Sequence, residues 1–366
     1  MSQPIRILCV FSRLDRGGAE SMCMNLYRAL DRTKVQFDFV KHTTDKGQFE
    51  DEIINLGGYI YEAPMYKIYN HLTYCVWWRK FFKQHPEYRI IHGHYFTIAA
   101  IYLRIAKKFE RITITHAHAE RGPREHIRLA LRIKIAIAER DEKYSDFCFA
   151  CSKNAGDWLF PHKEYKVLKN AIDSAQYTLN EGTREQIRKE FGIRDEQRII
   201  GVIGSFSPVK NPLGILAIFN NVHKESPDSV LLWCGDGPLR SEIESKIQEL
   251  SLEDSVILAG VRSDIPRMLQ AIDVYIMPSL REGLPVAGIE AQAAGIPCLF
   301  SDTISRDVAI TDCCEFLPLQ DMELWRKSLL KAFDKEREDT RTQIISAGFD
   351  IQTTAEWLQD FYLQNC

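Results

Sequence analysis

The chain of 366 residues is long enough for two domains with sizeable cores, and its 45% hydrophobic and 27% charged content is ordinary for a globular protein. It lacks a run of about 18 apolar residues, and its first residues lack the apolar core of a signal peptide, so we predict neither a transmembrane helix nor a leader. These features predict a cytoplasmic protein.

The net charge of −3 is unevenly spread along the chain. Residues 1–180 carry 28 Lys and Arg against 20 Asp and Glu, or +8, whereas residues 181–366 carry 19 against 30, or −11. A basic first half suits an anionic partner such as a membrane surface or a phosphate-bearing acceptor. We predict no nucleic-acid partner, because the chain has no recognition motif for one.

Apolar segments of strand length alternate with longer, helix-like segments. In the first half the predicted strands are 5–11, 35–40, 59–63, 89–94, 112–115 and 146–150. In the second half they are 198–204, 229–235, 255–260, 273–278, 296–300 and 315–319. Near-continuous apolar strands separated by helices indicate parallel sheets with helices on both faces. Two such series predict an α/β fold of two Rossmann-like domains.

A polar, turn-rich segment near residues 170–185 marks the boundary between the two series. We therefore predict a first domain of residues 1–175 and a second domain of residues 176–349. The last segment, about 350–366, carries apolar residues at helical spacing and predicts a terminal amphipathic helix.

The cysteines could be buried thiols or ligands of a metal. Cys9, Cys148, Cys234 and Cys298 lie in apolar runs, so we expect buried thiols. The lone pair Cys148 and Cys151 lacks the second pair that a zinc site would need.

Three segments of the first half combine basic and apolar residues. Segment 127–138 alternates like a strand, but its length and the four-residue spacing of its arginines favour a helix with one basic face. The segments WWRKFFK (77–83) and RIAKKFER (104–111) suit docking on a membrane surface, and they suit core-facing helices equally well.

Three glycine-bearing segments directly follow predicted strands: GGAE (17–20), IGSFSPVKN (203–211) and CGDGP (234–238). Glycine lets backbone N–H groups approach a phosphate, and the ammonium of Lys210 would suit a diphosphate. The alternative for each is a plain turn. None is the GxGxxG fingerprint after a strand, which argues against an NAD dehydrogenase.

The segment SLREGLPVAGIEAQAAG (279–295) holds two glutamates around a short helix. Pro285 suits the first turn of that helix, and Gly295 suits the position just past its end. Glu282 and Glu290 would contact two parts of one ligand, with Glu290 at a ribose and Glu282 at a sugar or diphosphate. The alternative is a pair of solvated carboxylates around a tight turn.

Four histidines lie at the carboxyl ends of predicted strands: His92, His94, His116 and His118. Doubly wound folds bind ligands at this edge. A single histidine is more often a structural hydrogen-bond donor, and we predict no metal site, because two HxH pairs fall short of a full ligand set.

Together these segments resemble the retaining glycosyltransferases of family four, whose GT-B fold has two facing Rossmann-like domains, and in particular their polysaccharide-assembly branch. The likeness covers nearly the whole chain, and its most specific element is the pair of glutamates eight residues apart. It rests on GGAE (17–20), HAH (116–118), KNAID (169–173), GSFSPVKN (204–211), GDGP (235–238), AGVRSDIPRML (259–269), AIDVYIMPS (271–279) and EGLPVAGIE (282–290).

The resemblance implies that the terminal helix, about 350–366, crosses back to the first domain.

The resemblance also implies how a nucleotide-sugar donor would bind. Glu290 would bind the ribose, and Glu282 would lie beside the transferred sugar and the diphosphate with Gly283 and Leu284. Lys210 would neutralise the leaving diphosphate in place of a metal, so no metal or other cofactor is expected. The other implied donor contacts are Gly17, Gly18, Val261 and Arg262.

The resemblance also implies the catalytic residues. His118, with His116 as the alternative, matches the active-site histidine near the reacting sugar, and Glu282 is the third candidate. Ser205 stands where the family usually has an arginine, so a diphosphate contact is lost. We expect Arg262, Arg281 or another basic side chain to compensate.

The implied reaction transfers a hexose or N-acetylhexosamine from a UDP-sugar to a saccharide acceptor with retention of configuration. The expected acceptor is lipid-linked and is reached at the cytoplasmic face of a membrane during surface polysaccharide assembly. The alternatives are a non-catalytic sugar-nucleotide-binding protein, suggested by Ser205, and a GT-B epimerase or phosphorylase.

Overall fold

The computed structural model describes residues 3–15, 17–95, 98–118, 141–282 and 284–366. The chain forms two compact units, Met1–Ile172 with Asp350–Cys366, and Asp173–Phe349. The boundary therefore lies three residues before the predicted one. The predicted helix 127–138 and the site residue Gly283 lie outside the described residues.

The described part of the first unit contains a seven-stranded parallel sheet with the order β3-β2-β1-β4-β5-β6-β7. Its strands are β1 (Ile5–Val10), β2 (Val35–Lys41), β3 (Ile60–Glu62), β4 (Ile90–Gly93), β5 (Ile112–Ala117), β6 (Phe147–Ala150) and β7 (Lys166–Val167). The sequence predicted the first six. It missed β7, because two residues are too few to show a period.

Helices cover both faces of this sheet. They are α1 (Gly18–Ala29), α2 (Glu50–Asn55), α3 (His71–Gln84), α4 (Ala99–Lys107), α5 (Asp141–Tyr144), α6 (Lys153–Leu159) and the C-terminal α14 (Ile351–Gln364). Alternate residues of β1 point to opposite faces, as strand geometry requires. Ile7 packs in a core with α1 and α14, whereas Leu8 packs in a second core with α3 and α4.

In the described part of the second unit, six parallel strands form a sheet with the order β10-β9-β8-β11-β12-β13. The strands are β8 (Arg198–Ile203), β9 (Ser229–Cys234), β10 (Val256–Gly260), β11 (Val274–Met277), β12 (Cys298–Ser301) and β13 (Cys314–Leu317). The helices are α7 (Glu181–Glu190), α8 (Pro212–His223), α9 (Arg240–Glu249), α10 (Ile265–Ala271), α11 (Val286–Ala293), α12 (Met322–Ala332) and α13 (Arg341–Ser346). The predicted α/β fold of two Rossmann-like domains is confirmed.

Each sheet has one point at which the strand order reverses, between β1 and β4 in the first unit and between β8 and β11 in the second. Doubly wound sheets bind ligands outside the carboxyl ends of the strands at this point. The loops that follow these four strands carry most of the site residues predicted from the sequence.

Two predictions about apolar segments are settled by burial. Trp78, Phe81 and Phe82 are buried in the core and Trp77 is half-buried against it, so the aromatic residues of segment 77–83 pack on the core. The four cysteines expected in the core, Cys9, Cys148, Cys234 and Cys298, are also buried.

The longest helices in the described residues are α3 and α14, with 14 residues each. A helix needs about 20 apolar residues to cross a bilayer. Within the described part of the chain, no helix is therefore long and apolar enough to do so.

Candidate active site

In the second unit, the loops that follow β8 and β11 lie side by side. The backbone N–H of Leu280 donates a hydrogen bond to the carbonyl of Val209 over 2.8 Å. Asn211 Nδ2 donates to the carbonyl of Pro278 over 3.1 Å. Asn211 also has a positive φ of 57°, which asparagine tolerates better than most residues, and it is the N-cap of α8. These contacts fix the two loops against each other at the reversal of strand order.

This arrangement brings together Lys210 and Glu282, which the sequence placed at one diphosphate. Lys210 Nζ lies 2.6 Å from Glu282 Oε1, and the two side chains are 23% and 16% exposed. The pair is close but poorly aligned, since this oxygen accepts no hydrogen bond from the described residues. A lysine ammonium has three N–H donors, so Lys210 retains donors for a second anion.

The glycine-rich turns after β8 and β9 pack directly on each other. Gly204 N donates to the carbonyl of Cys234 over 3.0 Å, and Phe206 N donates to the carbonyl of Asp236 over 3.0 Å. A Cβ on Gly235 would lie 1.9 Å from the carbonyl oxygen of Gly204, so this close approach requires glycine. The tip of the turn after β8 is thereby held against the turn after β9.

Ser205 lies at that tip. Its side chain is exposed, and its Oγ lies 3.0 Å from Ser207 Oγ. The position that usually carries an arginine in the family that the sequence resembles therefore presents only a hydroxyl to solvent.

Glu290 lies on α11 and is held by a residue that the sequence analysis missed. The hydroxyl of Tyr177 donates a hydrogen bond to Glu290 Oε1 over 2.8 Å. Burial raises the pKa of Glu290, and the hydrogen bond from Tyr177 opposes this rise. Among the described residues the second carboxylate oxygen has no hydrogen-bond partner, so it is available to a ligand hydroxyl.

Tyr275 on β11 lies close to both glutamates. Burial raises the pKa of its phenol well above the usual value, and the charges of Cys298, Glu290 and Glu282 raise it further. Since both carboxylates act on one buried side chain, they occupy the same region of the second unit. The sequence indicated only that they were eight residues apart.

Arg262 is unsuited to replace the missing arginine. Its guanidinium makes two hydrogen bonds of 2.8 Å to Asp264 and one of 3.0 Å to Glu190. Because two carboxylates already match its charge, the expectation that Arg262 compensates for Ser205 is disfavoured. Arg281 is exposed and forms no ion pair with the described residues, so it is the better candidate.

The remaining predicted donor contacts differ in exposure. Val261 is 71% exposed and therefore open to a flat ligand group, whereas Leu284 is half-buried.

In the first unit, the loop after β1 leads into α1 without a side-chain cap. Gly17 is the N-cap in an extended conformation, and Gly18 is the first helical residue. The first backbone N–H groups of a helix have no partner within the helix, which favours an anion there. The carboxylate of Glu20 folds back towards Gly17, and burial raises its pKa.

The four predicted histidines form one stack at the carboxyl ends of β4 and β5, in which His92, His94 and His116 are buried and His118 is half-buried. The ring centroids lie 4.2 Å apart for His92 and His94, and 4.1 Å apart for His116 and His118. His94 Nδ1 lies 2.7 Å from His118 Nε2, and His92 Nδ1 lies 2.6 Å from the hydroxyl of Tyr362. Tyr362 belongs to α14, so the C-terminal helix supports this cluster.

The histidines are electrically neutral near pH 7. Burial lowers the pKa of His92 and His118 to about 3, and it lowers the pKa of His94 and His116 well below the usual value, with mutual repulsion adding to the effect. Several ring nitrogens have no partner among the described residues: Nε2 of His92 and His94, both nitrogens of His116, and Nδ1 of His118. Neutral imidazoles with unused donors and acceptors suit the hydroxyl groups of a sugar.

Three of these histidines come close enough to raise the question of a metal. Ring nitrogens of His92, His94 and His116 all lie within 4.8 Å of one another. However, the rings of His92 and His116 are within 9° of parallel, and those of His92 and His94 within 26°. The lone pairs of a ring lie in its plane, so stacked rings direct them side by side rather than towards one ion.

Comparison with known families identifies the chain. The model of the glycosyl transferases group 1 matches residues 183–349, and the model of glycosyltransferase family 4 matches residues 16–176. The chain belongs to glycosyltransferase family four. The two models meet near the boundary between the two units, so both halves of this family-four chain are accounted for.

Two curated relatives extend this result. A candidate glycosyltransferase, EpsF of Bacillus subtilis (strain 168), is 29% identical over 373 residues, covering 98% of this chain and 96% of the relative. The UDP-Gal:alpha-D-GlcNAc-diphosphoundecaprenol alpha-1,3-galactosyltransferase of Escherichia coli is 28% identical over 211 residues, covering 54% of this chain and 53% of the relative.

Solved structures share the GT-B fold of this family-four chain. Anabaena Alr3699/HepE in complex with UDP and glucose superposes with a TM-score of 0.75 at 18% identity, covering 98% of this chain and 99% of that one. A glycosyltransferase from Rickettsia africae ESF-5 superposes with a TM-score of 0.77 at 15% identity, covering 100% and 99%. At these identities the likeness shows the fold alone.

Proposed function

We propose that this glycosyltransferase moves a hexose or N-acetylhexosamine from a UDP-sugar to a lipid-linked saccharide, with retention of configuration, in the assembly of a surface polysaccharide. The observation that carries the proposal is the placement of Lys210, Glu282 and Glu290 around one end of the second sheet, with Tyr177 fixing Glu290. The name of the E. coli relative supports a UDP donor and a diphosphoundecaprenol-linked acceptor, and the solved Anabaena structure contains UDP.

The second unit would hold the donor. Glu290 accepts hydrogen bonds from the ribose hydroxyls through its unused oxygen. Lys210 shifts its free N–H donors to the diphosphate, and Glu282 turns to the transferred sugar. An ammonium placed where negative charge develops on the leaving group lowers the barrier most, because that charge is greatest in the transition state.

The first unit would present the reacting groups of the acceptor to the histidines. His118 keeps its Nδ1 unused while His94 holds its other nitrogen, so its ring is fixed in orientation. As a neutral imidazole it hydrogen-bonds a sugar hydroxyl and does not bring a full charge to the site. The backbone N–H groups at Gly17 and Gly18 would contact a donor phosphate.

The reaction would need no metal, because Lys210 supplies the positive charge. We expect EDTA to leave the transfer rate unchanged within twofold. A loss of activity restored by Mg²⁺ or Mn²⁺ would contradict this part of the proposal. The placement of the enzyme at the cytoplasmic face of a membrane stays a prediction.

The proposal is tested by incubating the protein with UDP-glucose, UDP-galactose and their N-acetyl counterparts in the presence of a GlcNAc-diphosphate-lipid. Release of UDP that depends on the lipid, with a product of retained anomeric configuration by NMR, is the expected result. Transfer from another nucleotide-sugar, or inversion, would overturn the finer assignment.

One observation favours a second candidate function. Because Ser205 is exposed and Arg262 is fully paired, a degenerate protein would bind UDP without turning over a UDP-sugar. Binding of UDP without transfer to any tested acceptor would support this candidate.

A further inference from the structure

The exposed side of α3 and the segment before it carry an unusual concentration of apolar residues. Five large apolar side chains between residues 65 and 76 are mostly exposed: Met65 54%, Ile68 54%, Tyr69 83%, Leu72 80% and Val76 59%. Single exposed apolar residues are ordinary on a protein surface, but a group of this density marks a contact site.

Basic residues continue the same side of the helix. Leu72, Val76, Arg79 and Lys83 follow one another at spacings of three and four residues, and Lys80 lies next to Arg79, so the five form one stripe, and all are exposed. The opposite side of α3 is buried in the core through Tyr74, Trp78, Phe81 and Phe82. The stripe is therefore a true surface of the folded unit, apolar at the start of α3 and basic at its end.

The charge around this stripe has a single sign. Residues 63–86 contain four basic residues, Lys67, Arg79, Lys80 and Lys83, and no Asp or Glu. Lys67 Nζ lies 5.6 Å from the centre of the Tyr69 ring, so even the most exposed aromatic side chain has a cation beside it. Arg104 and Lys108 of the adjoining α4 region add positive potential, since both act with Arg79 on the pKa of Cys75.

We propose that this surface, which we name the α3 face (Met65, Lys67, Ile68, Tyr69, Leu72, Val76, Arg79, Lys80 and Lys83), docks the protein on an anionic lipid bilayer. Apolar side chains enter the interface while lysines and arginines meet the phosphate headgroups. A second copy of the chain fits less well, because two such segments, each with four basic residues and no acidic one, would repel each other. This inference goes beyond the transfer reaction, and its test requires no substrate.

The position of the α3 face in the fold gives it a use. Residues 65–71 follow the carboxyl end of β3, and His92 and His116 belong to the carboxyl ends of β4 and β5 in the same parallel sheet. The apolar end of the α3 face and the histidine stack therefore lie at the same edge of the first unit. A bilayer bound at this edge would present headgroup-linked saccharides on the side of the histidines.

The test is sedimentation of the full chain with vesicles of phosphatidylcholine alone, or of phosphatidylcholine with 30% phosphatidylglycerol. We expect binding to the anionic vesicles that falls at 0.5 M salt, because salt screens the basic residues. Leu72→Ser with Val76→Ser should lower the partition coefficient at least tenfold. Arg79→Gln with Lys80→Gln and Lys83→Gln should reduce the preference for anionic vesicles to within twofold.

Matched controls keep the test specific. Ile54→Ser with Leu363→Ser removes two exposed apolar side chains elsewhere in the first unit, and Lys224→Gln with Lys331→Gln and Lys335→Gln removes three exposed lysines of the second unit. Both controls should bind as the wild type does. Equal binding to both vesicle types, or wild-type binding by the Leu72 and Val76 variant, would overturn the proposal. If the wild type is a dimer and this variant is a monomer, the α3 face is instead the contact with a second copy of the chain.

Failure here and failure of the proposed function are distinguishable. If the protein binds UDP but no vesicles, only the docking role of the α3 face is contradicted. If it binds vesicles but no nucleotide, only the transferase assignment is contradicted.

Discussion

The two units have the same sheet architecture, but the side chains at the point where the strand order reverses are charged in one unit and neutral in the other. In the second unit the side chains there are charged and largely matched: Lys210 lies beside Glu282, and Tyr177 donates a hydrogen bond to Glu290. In the first unit they are four neutral histidines whose ring nitrogens are largely unpartnered.

This difference follows from what each half is proposed to bind. A nucleoside diphosphate carries fixed negative charge and a ribose diol, so its site needs cations and a carboxylate that are already in place. A saccharide hydroxyl carries no charge, and a buried charged histidine beside it would be costly. Unpartnered buried nitrogens are also unfavourable, by about 1–3 kcal/mol each, which indicates that the histidine stack is completed by water or ligand.

The largest effect is expected from Lys210→Ala, which removes the cation of the charged site. We expect kcat to fall by about 10²–10³-fold, the usual consequence of losing one electrostatic stabiliser of a developing anion. Steady-state kinetics with Lys224→Ala as the control measures it. A fall below tenfold would show that another cation neutralises the diphosphate, and Arg281 would be examined next.

His118→Ala tests the neutral site in the same assay. We expect kcat to fall by about 10²-fold while the affinity for UDP stays within twofold, because the first unit is assigned to the reacting groups of the acceptor. The exposed His162 provides the control His162→Ala. If His116→Ala lowers kcat and His118→Ala does not, the alternative histidine is the active one.

The neutrality of the stack makes stability depend on pH. A histidine with a folded pKa of about 3 stays unprotonated while the unfolded chain takes up a proton below about pH 6.5. The unfolded state then binds more protons than the folded state. The contribution of each such histidine to the free energy of unfolding is therefore complete above pH 6.5, and it falls as the pH drops by up to about 1.4 kcal/mol per pH unit. The raised pKa of Glu290 acts in the opposite direction.

Melting temperatures between pH 7.5 and 5.0 measure this dependence. His92→Gln should flatten the curve, since it removes one buried titrating group, whereas His162→Gln at an exposed position should leave it unchanged. Identical slopes for the wild type and His92→Gln would show that the stack does not hold its histidines neutral.

Tyr177→Phe tests how far the charged site depends on its support. The variant keeps the ring and removes the hydrogen bond to Glu290, so we expect UDP to bind about 2–10-fold more weakly, corresponding to one hydrogen bond. Isothermal titration calorimetry measures the change. An affinity equal to that of the wild type would mean that α11 alone positions Glu290.

An effect of similar size and opposite sign is expected from Ser205→Arg, which restores the side chain usual in the family. We expect UDP to bind a few-fold more tightly, about 2–10-fold, through an added charge-assisted contact. Unchanged affinity would favour compensation by Arg281, and Arg281→Gln should then weaken binding in the native background.

Local patterns in the sequence were sufficient for much of the fold. Near-continuous apolar runs predicted twelve of the thirteen described strands, and Gly295, with a positive φ of 66°, ends α11 as predicted. Both features depend only on residues that are close together in the sequence. The two-residue β7 lacks any period, and for that reason it was missed.

The contacts that complete the site could not be predicted in this way. Tyr177 and Glu290 are 113 positions apart, and no pattern in the sequence links them. The pairing of Arg262 with Glu190 likewise joins two distant elements and removes a compensation that the sequence allowed. The sequence placed the histidines at strand ends, but their stacking, and the burial that keeps them neutral, depend on how β4 pairs with β5 in the folded sheet.

The most direct test of the central claim, that the charged site of the second unit binds the nucleotide, is a thermal-shift measurement with UDP, GDP and ADP. A ligand that binds only the folded state raises the melting temperature. We predict that UDP stabilises the wild type, His118→Ala and the control Glu253→Gln alike, and that Glu290→Gln loses the effect. Stabilisation that survives in Glu290→Gln but is lost in His118→Ala, or no stabilisation by any nucleotide, would contradict the account.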